Sequence, residues 1–220
     1  MLIVVEVGSL HKGDPSLAYE YIRRTAEAGA DIAKFQLGWP KEDALRHIDP
    51  WAVFLAESCA FFGVEFMASL WSLEGLNLAR MLKMRRYKVS HQVASATDPE
   101  VKRLFAAILS DGKETFISAP PPVRGTIQNA RWLYCVPKYP AYPLDLQIPG
   151  GMGDDCEYYG YSSHTHGIAD SLIAVARGAL YLEKHVCLDR ELVTRDASYA
   201  ITFEELAELV RLSKQIERFR

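Results

Sequence analysis

The strongest constraint on the fold is a repeated unit, in which a short apolar segment precedes a segment with the apolar stripe of an amphipathic helix. The short segments are typical of parallel strands buried on both faces. The pattern predicts eight strands, at 2–7, 31–36, 64–68, 86–90, 114–118, 132–136, 158–161 and 180–186. Alternation of eight strands with about eight helical segments predicts a (β/α)8 or TIM barrel, an α/β fold.

Local signals bound the helices. Asp14-Pro15 provides an N-cap and a first-turn proline for the first helix, and Gly29 ends it. Further helices are predicted at 50–62, 72–82, 98–109 and 167–177, with a weaker one at 125–129 and a last one at 202–219 that begins with the capping box Thr202-x-x-Glu205. Residues 137–155 predict a long loop with at most one helical turn. An open doubly wound sheet is the alternative, disfavoured because no glycine-rich phosphate loop follows the first strand.

Length and charge restrict the class of protein. A chain of 220 residues suits one large core, so we predict a single domain over 1–220. The formal net charge of −3 disfavours nucleic acid and membrane partners and favours a small molecule. The four scattered cysteines are typical of reduced thiols. Without a signal peptide or a run of about 18 apolar residues, the chain is expected to be soluble and cytoplasmic.

Polar residues recur at the C-terminal ends of the predicted strands, where barrels of this kind build their active sites. They include Glu6, Lys34, Gln36, Ser69, Lys88, Ser118, Ser162, His164, Glu183 and His185. Lys34 and Lys88 project toward one mouth, where the serine hydroxyls complete a donor set suited to a phosphate or a carboxylate. The structural alternative is that each lysine only extends from a strand end to solvent.

Two histidines follow on neighbouring strands. His164 and His185 each offer an imidazole nitrogen to one divalent metal, with room left for substrate oxygens. Glu183 shares the inward parity of His185 and is expected to orient that imidazole. A strand-end histidine that is only a hydrogen-bonded polar residue is the structural alternative.

Several motifs resemble those of the sialic acid synthases, over essentially the whole chain. They are Val5-Glu-Val-Gly8, His11-Lys-Gly-Asp14, Ala28-Gly-Ala-Asp31, Lys34-Phe-Gln36, Tyr87-Lys88, Gly160-Tyr-Ser-Ser-His-Thr165, Leu182-Glu-Lys-His185 and the later Asp196. That family condenses phosphoenolpyruvate with N-acetylmannosamine or related sugars. The resemblance implies a transferase of carbohydrate biosynthesis that forms a 2-keto-3-deoxy sugar acid.

The resemblance also implies roles for individual residues. His164 and His185 would bind the catalytic metal, manganese (Mn2+) or magnesium (Mg2+). Lys34, Ser69, Lys88, Ser118 and Ser162 would hold phosphoenolpyruvate, and Glu6, Gln36, Tyr139 and Asp196 would face the sugar. Glu6, Tyr139 and Asp196 are the candidate catalytic residues, with Glu6 helping to activate the attacking water. Family members are dimers, so a homodimer through another surface is expected.

Some positions depart from the family pattern. Val93 stands where the family has a glutamate, Pro137 replaces an asparagine, and Ser163 replaces the aspartate beside the metal histidine. His91 is a possible third metal ligand. The loop after the second strand is short, and the family's C-terminal antifreeze-like domain is expected to be absent.

These departures argue against assigning N-acetylmannosamine as the substrate and leave other functions open. One is a metal-dependent 2-keto acid aldolase or lyase, and a Schiff-base aldolase that uses Lys34 or Lys88 is another. A third is a catalytically degenerate barrel that binds a sugar acid or a partner protein. The 137–155 loop, with Tyr142, is a candidate to fold over the mouth and supply the lost contacts.

Overall fold

The computed structural model describes residues 1–123, 125–190, 194 and 196–220. Its main sheet contains β1 Leu2–Glu6, β2 Ile32–Leu37, β3 Glu65–Leu70, β4 Arg86–Val89, β5 Glu114–Ala119, β6 Ala130–Cys135, β7 Gly160–Ser163 and β8 Tyr181–Cys187. Each strand pairs in parallel with the next, and β8 pairs in parallel with β1, where Glu6 lies opposite His185. The sheet is therefore closed, and the predicted (β/α)8 barrel is confirmed.

Helices connect most of the strands. They are α1 Pro15–Glu27, α2 Ala52–Phe62, α3 Leu73–Met81, α4 His91–Ala94, α5 Pro99–Ser110, α6 Ala169–Ala176 and α7 Phe203–Glu217. Asp14 accepts hydrogen bonds from the backbone of Ser16 and Leu17, and Thr202 and Glu205 form the capping box, so both predicted helix starts are confirmed. A two-residue strand, β9 Ile201–Thr202, pairs in parallel with the end of β8.

The connection between β5 and β6 differs from the sequence-based expectation. The weak helix predicted at 125–129 is wrong, since these residues form turns. Gly125 and Asn129 have φ angles of 73° and 60°, which a right-handed helix does not allow. The Asn129 side chain donates to the Gly112 carbonyl, and the indole of Trp132 donates to the Gly125 carbonyl. Local side-chain hydrogen bonds therefore replace helical ones here.

Strand parity separates an apolar outer layer from a polar inner mouth. On β2, Phe35 packs outward and stacks on Phe66 of β3 with ring centroids 5.7 Å apart. Its neighbours Lys34 and Gln36 line the interior at the mouth. The barrel register sets Gln36 beside Ser69 and Ser69 beside Lys88, so polar residues of successive strands lie at matching heights. Within the described ranges, no helix is both long and apolar enough to cross a lipid bilayer.

Candidate active site

The C-terminal ends of the strands surround one cavity of about 720 Å³, counting space open to solvent. That size suits two small substrates. All of the predicted site residues line it: Glu6, Lys34, Gln36, Ser69, Lys88, Ser118, Tyr139, Ser162, His164, His185 and Asp196. Strand parity accounts for the residues at the strand ends, because side chains of one parity at the ends of parallel strands meet at one mouth. Tyr139 and Asp196 lie in loops after β6 and β8, and their place in the site followed from the family resemblance.

Two buried lysines form the floor of the mouth. Lys34 donates to the Ser69 hydroxyl at 2.9 Å and pairs with Glu6, and Lys88 donates to the Ser118 hydroxyl at 2.7 Å. Both lysines are at most 2% exposed. Burial lowers the pKa of Lys34 to about 7, and the charge of Lys88 adds to the effect against the opposing field of Glu183. An arriving anion would reverse this shift and restore the full charge of Lys34.

Glu183 lies between the two lysines. Its carboxylate is 3.7 Å from Lys34 Nζ and 3.8 Å from Lys88 Nζ, and it accepts hydrogen bonds from Ser162 and Tyr181. Although burial raises the pKa of Glu183, Lys34 and Lys88 lower it to about 2. The expectation that Glu183 orients the imidazole of His185 is wrong, since its oxygens bind the hydroxyls and face the lysines instead. Glu183 therefore belongs to the same buried group of charges as the two lysines.

His164 and His185 face each other across the ends of β7 and β8, with ring centroids 5.7 Å apart. His164 Nδ1 lies 3.1 Å from the Val136 carbonyl, a group that only accepts, so Nε2 keeps its lone pair. Burial lowers the pKa of His164 to about 3 and lowers that of His185 as well. Both rings are therefore neutral near pH 7, the form that binds metals.

A metal at this pair would need further ligands. His185 Nδ1 is buried and has no hydrogen-bond partner within the described part of the chain, so a second nitrogen is available as a metal ligand. The described residues contain no group of three or more His, Cys, Asp or Glu side chains that could hold a metal ion, and His91 therefore completes no such set. The residues fit a metal that takes its other ligands from substrate and water.

Asp196 reaches the mouth from a 3-10 turn after β8. It accepts hydrogen bonds from the Ser9 backbone at 2.9 Å, the Ser9 hydroxyl at 2.7 Å and the Tyr199 hydroxyl at 3.0 Å. Burial raises the pKa of Asp196, but His185 and these donors lower it to about 2. Gly8, with φ 54°, makes the approach possible, because a Cβ there would lie 2.7 Å from Asp196 Oδ2.

The structure also places residues that sequence reasoning left aside. Trp39, Arg46, Trp71 and Tyr199 line the mouth. The available signal was the position of Trp39 and Trp71, each three residues after a predicted strand end. The 137–155 loop contributes Tyr139 to the mouth, whereas Tyr142 is 57% exposed and does not line the cavity, so a contact from Tyr142 is not found.

A closed parallel barrel with two buried lysines and an imidazole pair at the C-terminal mouth is typical of TIM-barrel enzymes. Residues 44–220 match the NeuB family, and the chain belongs to that family. The resemblance to sialic acid synthases is thereby confirmed.

Relatives agree with this assignment. The N,N'-diacetyllegionaminic acid synthase of Campylobacter jejuni is 27% identical over 99% of this chain and 76% of its own length. The human N-acetylneuraminate-9-phosphate synthase is 28% identical over 98% of this chain and 70% of its own length. The chain is therefore an enzyme of the sugar-acid synthase type.

Solved structures support the fold. The N-acetylneuraminic acid synthetase from Leptospira borgpetersenii, crystallised with citrate, superimposes with a TM-score of 0.84 at 24% identity, over 99% of this chain and 84% of that one. A truncated 3-deoxy-D-arabino-heptulosonate 7-phosphate synthase from Thermotoga maritima superimposes with a TM-score of 0.71 at 14% identity, over 100% and 87% of the two chains.

Proposed function

We propose that the protein condenses phosphoenolpyruvate with an aldose or acylamino sugar, using Mn2+ or Mg2+ held by His164 and His185. The buried pair of Lys34 and Lys88 carries this proposal. Two lysines that are nearly excluded from solvent, with serine hydroxyls beside them, match a small molecule that has both a phosphate and a carboxylate. The products would be a 2-keto-3-deoxy sugar acid and inorganic phosphate.

The balance of the reaction assigns a task to each part of the site. C3 of phosphoenolpyruvate forms a bond to the aldehyde carbon, water adds to C2, and phosphate leaves as the 2-keto group forms. Glu6 Oε2 pairs with Lys34, whereas Oε1 is buried and none of the described residues forms a hydrogen bond with it. Oε1 would accept a proton from the attacking water. A metal bound by the two histidines would supply Lewis acidity toward the aldehyde oxygen.

A Schiff-base aldolase is the competing function, because the lowered pKa of Lys34 favours a free amine. The contacts of Lys34 with Glu6 and Glu183 oppose it, since each carboxylate stabilises the ammonium form. Borohydride trapping with a 2-keto acid separates the two functions: a covalent adduct on Lys34 would replace the condensation proposal.

Phosphate release from phosphoenolpyruvate tests the proposal directly. With Mn2+ and a panel of plain and acylated aldoses, we expect release that depends on the sugar. His164→Ala and His185→Ala should each weaken Mn2+ binding about 10-fold or more, as measured by calorimetry. His166→Ala is the matched control, because His166 is exposed on the following loop and should bind Mn2+ as the wild type does. Equal Mn2+ binding by all three variants, or no sugar-dependent release, would contradict the proposal.

A further inference from the structure

A tryptophan and arginine wall stands on the side of the mouth formed by β2 and β3. Trp39 follows the end of β2, Trp71 follows β3 directly, and Arg46 lies in the loop that leads to α2; all three line the cavity. The described contacts of Lys34 and Lys88 include no hydrogen bond to any of these three residues. We call Trp39, Arg46 and Trp71 the Trp–Arg wall.

Close backbone packing brings the two indoles together. A Cβ at Gly38 would lie 2.8 Å from the Ser72 nitrogen, and one at Gly75 would lie 2.6 Å from the Leu37 carbonyl carbon. Only glycines therefore allow the end of β2 to pack this closely against the start of α3. The indoles that follow meet edge to face, with centroids 4.2 Å apart and planes at 73°.

The loop from 38 to 49 fixes the orientation of Trp39. Its indole nitrogen donates to Asp43 at 2.9 Å, and its carbonyl lies 3.1 Å from His47 Nδ1. The carboxylate of Asp49 accepts from the Gly38 nitrogen at 3.0 Å. These contacts hold the Trp39 side chain in one orientation at the edge of the cavity.

Arg46 is held by the same loop. Its guanidinium carbon lies 4.6 Å from the centre of the Trp39 ring, and its Nε lies 3.6 Å from Asp43. Stacking on an aromatic face leaves the in-plane donors of a guanidinium available. Among the described residues, no hydrogen bond joins the terminal nitrogens of Arg46 to the protein.

A second polar group points to a ligand at this wall. The indole nitrogen of Trp71 is buried and has no hydrogen-bond partner among the described residues. A buried donor without a partner costs about 1 to 3 kcal/mol unless something else accepts from it. An indole face, an unpaired indole N–H and a fan of guanidinium donors together suit a sugar that carries an anion.

We propose that the Trp–Arg wall binds the distal end of the acceptor, and that the acceptor is an aldose with an anionic substituent, a phosphate or a carboxylate, read by Arg46. This inference rests on the proposed function, because the sugar is an acceptor only if the protein catalyses the condensation. The lysine floor holds one anion deep in the barrel and Arg46 holds a second at the rim, with the sugar between them and against the indoles.

Equilibrium binding without turnover tests the inference. Calorimetry with EDTA and saturating phosphoenolpyruvate would compare mannose, mannose 6-phosphate and mannuronate. We expect one of the two anionic sugars to bind about 10- to 100-fold more tightly than mannose, and the tighter one identifies the substituent. Arg46→Gln should reduce that ratio to near one. Arg80→Gln is the matched control. Arg80 lies on α3 outside the mouth and pairs with Asp111, which follows α5.

Two further variants keep the test decisive. Asp43→Asn retains an acceptor for the Trp39 indole but removes a negative charge, so it should increase the preference for the anionic sugar. Trp39→Phe should weaken all three sugars, whereas Trp51→Phe, on an exposed residue of another surface, should weaken none.

Two results would overturn the inference. One is equal affinity for mannose and both anionic sugars; the other is a preference that is lost in Lys88→Met but kept in Arg46→Gln, which would place the anion on the lysine floor. Because these measurements need no phosphate release, a failure of the condensation reaction would leave the binding preference intact and would be recognised separately.

Discussion

Glu183 and Lys184 are neighbours on β8, yet each belongs to a different buried cluster of charges. Glu183 points into the barrel, toward Lys34 and Lys88. Lys184 points outward under α6, where it lies 3.6 Å from Asp170 and donates to the Ser163 hydroxyl at 2.7 Å and the Thr165 carbonyl at 2.6 Å. Both clusters are built from the same residue types and are almost fully buried.

The two clusters differ in how completely the protein satisfies them. In the outer cluster each polar side chain has a partner, and Ser163 also donates to Asp170 at 2.6 Å. Around the inner cluster, three buried atoms have no hydrogen-bond partner in the part of the chain that the structure describes: Glu6 Oε1, Gln36 Oε1 and His185 Nδ1. Each such atom costs about 1 to 3 kcal/mol. The comparison teaches that the outer cluster stabilises the fold, whereas the inner one is arranged for a ligand.

The outer cluster also contains Ser163, one of the positions that depart from the family pattern. Ser163 was expected to mark the loss of a carboxylate beside the metal histidine. In the structure Ser163 faces α6, and Asp170 brings a carboxylate to that place from the helix. A carboxylate is thus present here in spite of the substitution.

Breaking the outer pair should have the largest effect. Lys184→Met leaves Asp170 buried without its cation and should lower the free energy of unfolding by about 3 to 5 kcal/mol, as measured by urea denaturation. The double variant with Asp170→Ala should recover most of this loss. Lys88→Met is the matched inner variant and should cost less stability, since Glu183 keeps Lys34, Ser162 and Tyr181 as partners. Equal losses would erase the distinction between the clusters.

A change in the inner cluster should affect the binding of phosphoenolpyruvate more than the stability of the fold. Lys88→Met should weaken phosphoenolpyruvate binding by about 2 to 4 kcal/mol, because the lysine is desolvated before the ligand arrives. Calorimetry in the presence of metal measures this change. Lys138→Met provides the control, since Lys138 is exposed and pairs with Asp145 at the surface. If the two variants bound phosphoenolpyruvate alike, the floor would not be the anion site.

A buried histidine outside both clusters should have the smallest effect on stability for a change of one pH unit. It tests what a buried polar atom without a partner contributes to the free energy of unfolding. His11 accepts a hydrogen bond from the Gly13 nitrogen, and its Nε2 has no hydrogen-bond partner in the described ranges. Burial lowers the pKa of His11 to about 4. The unfolded chain takes up a proton below pH 6.5, while the folded chain stays neutral until about pH 4. Stability should therefore fall with falling pH in this window, by at most about 1.4 kcal/mol per unit.

His11→Asn should reduce that slope by close to one proton between pH 4.5 and pH 6, a window inside the interval between the two pKa values. Urea denaturation at several pH values gives the slope for each protein. Parallel stability curves for the variant and the wild type would show that His11 is protonated in the folded state at these pH values.

The sequence predicted the barrel and the membership of the mouth because both follow from alternation along single strands. Parity also placed Glu183 inside, but its partners lie on β2 and β4, and contacts across a barrel depend on strand tilt and register, which one strand does not encode. The Trp–Arg wall was missed for a similar reason. Its geometry depends on how Gly38 and Gly75 let two loops pack.

Closure of the sheet through β1 and β8 has a consequence for how the protein folds. The register partners Glu6 and His185 come from almost opposite ends of the sequence. Such non-local contacts form slowly, because closing the long chain segment between them costs conformational entropy before the pairing contributes any stabilisation. Until they form, the sheet has two open edges that can pair with other chains. The catalytic mouth is therefore among the last parts of the molecule to be completed, and a chain that stops short of closure has neither a site nor protection from aggregation.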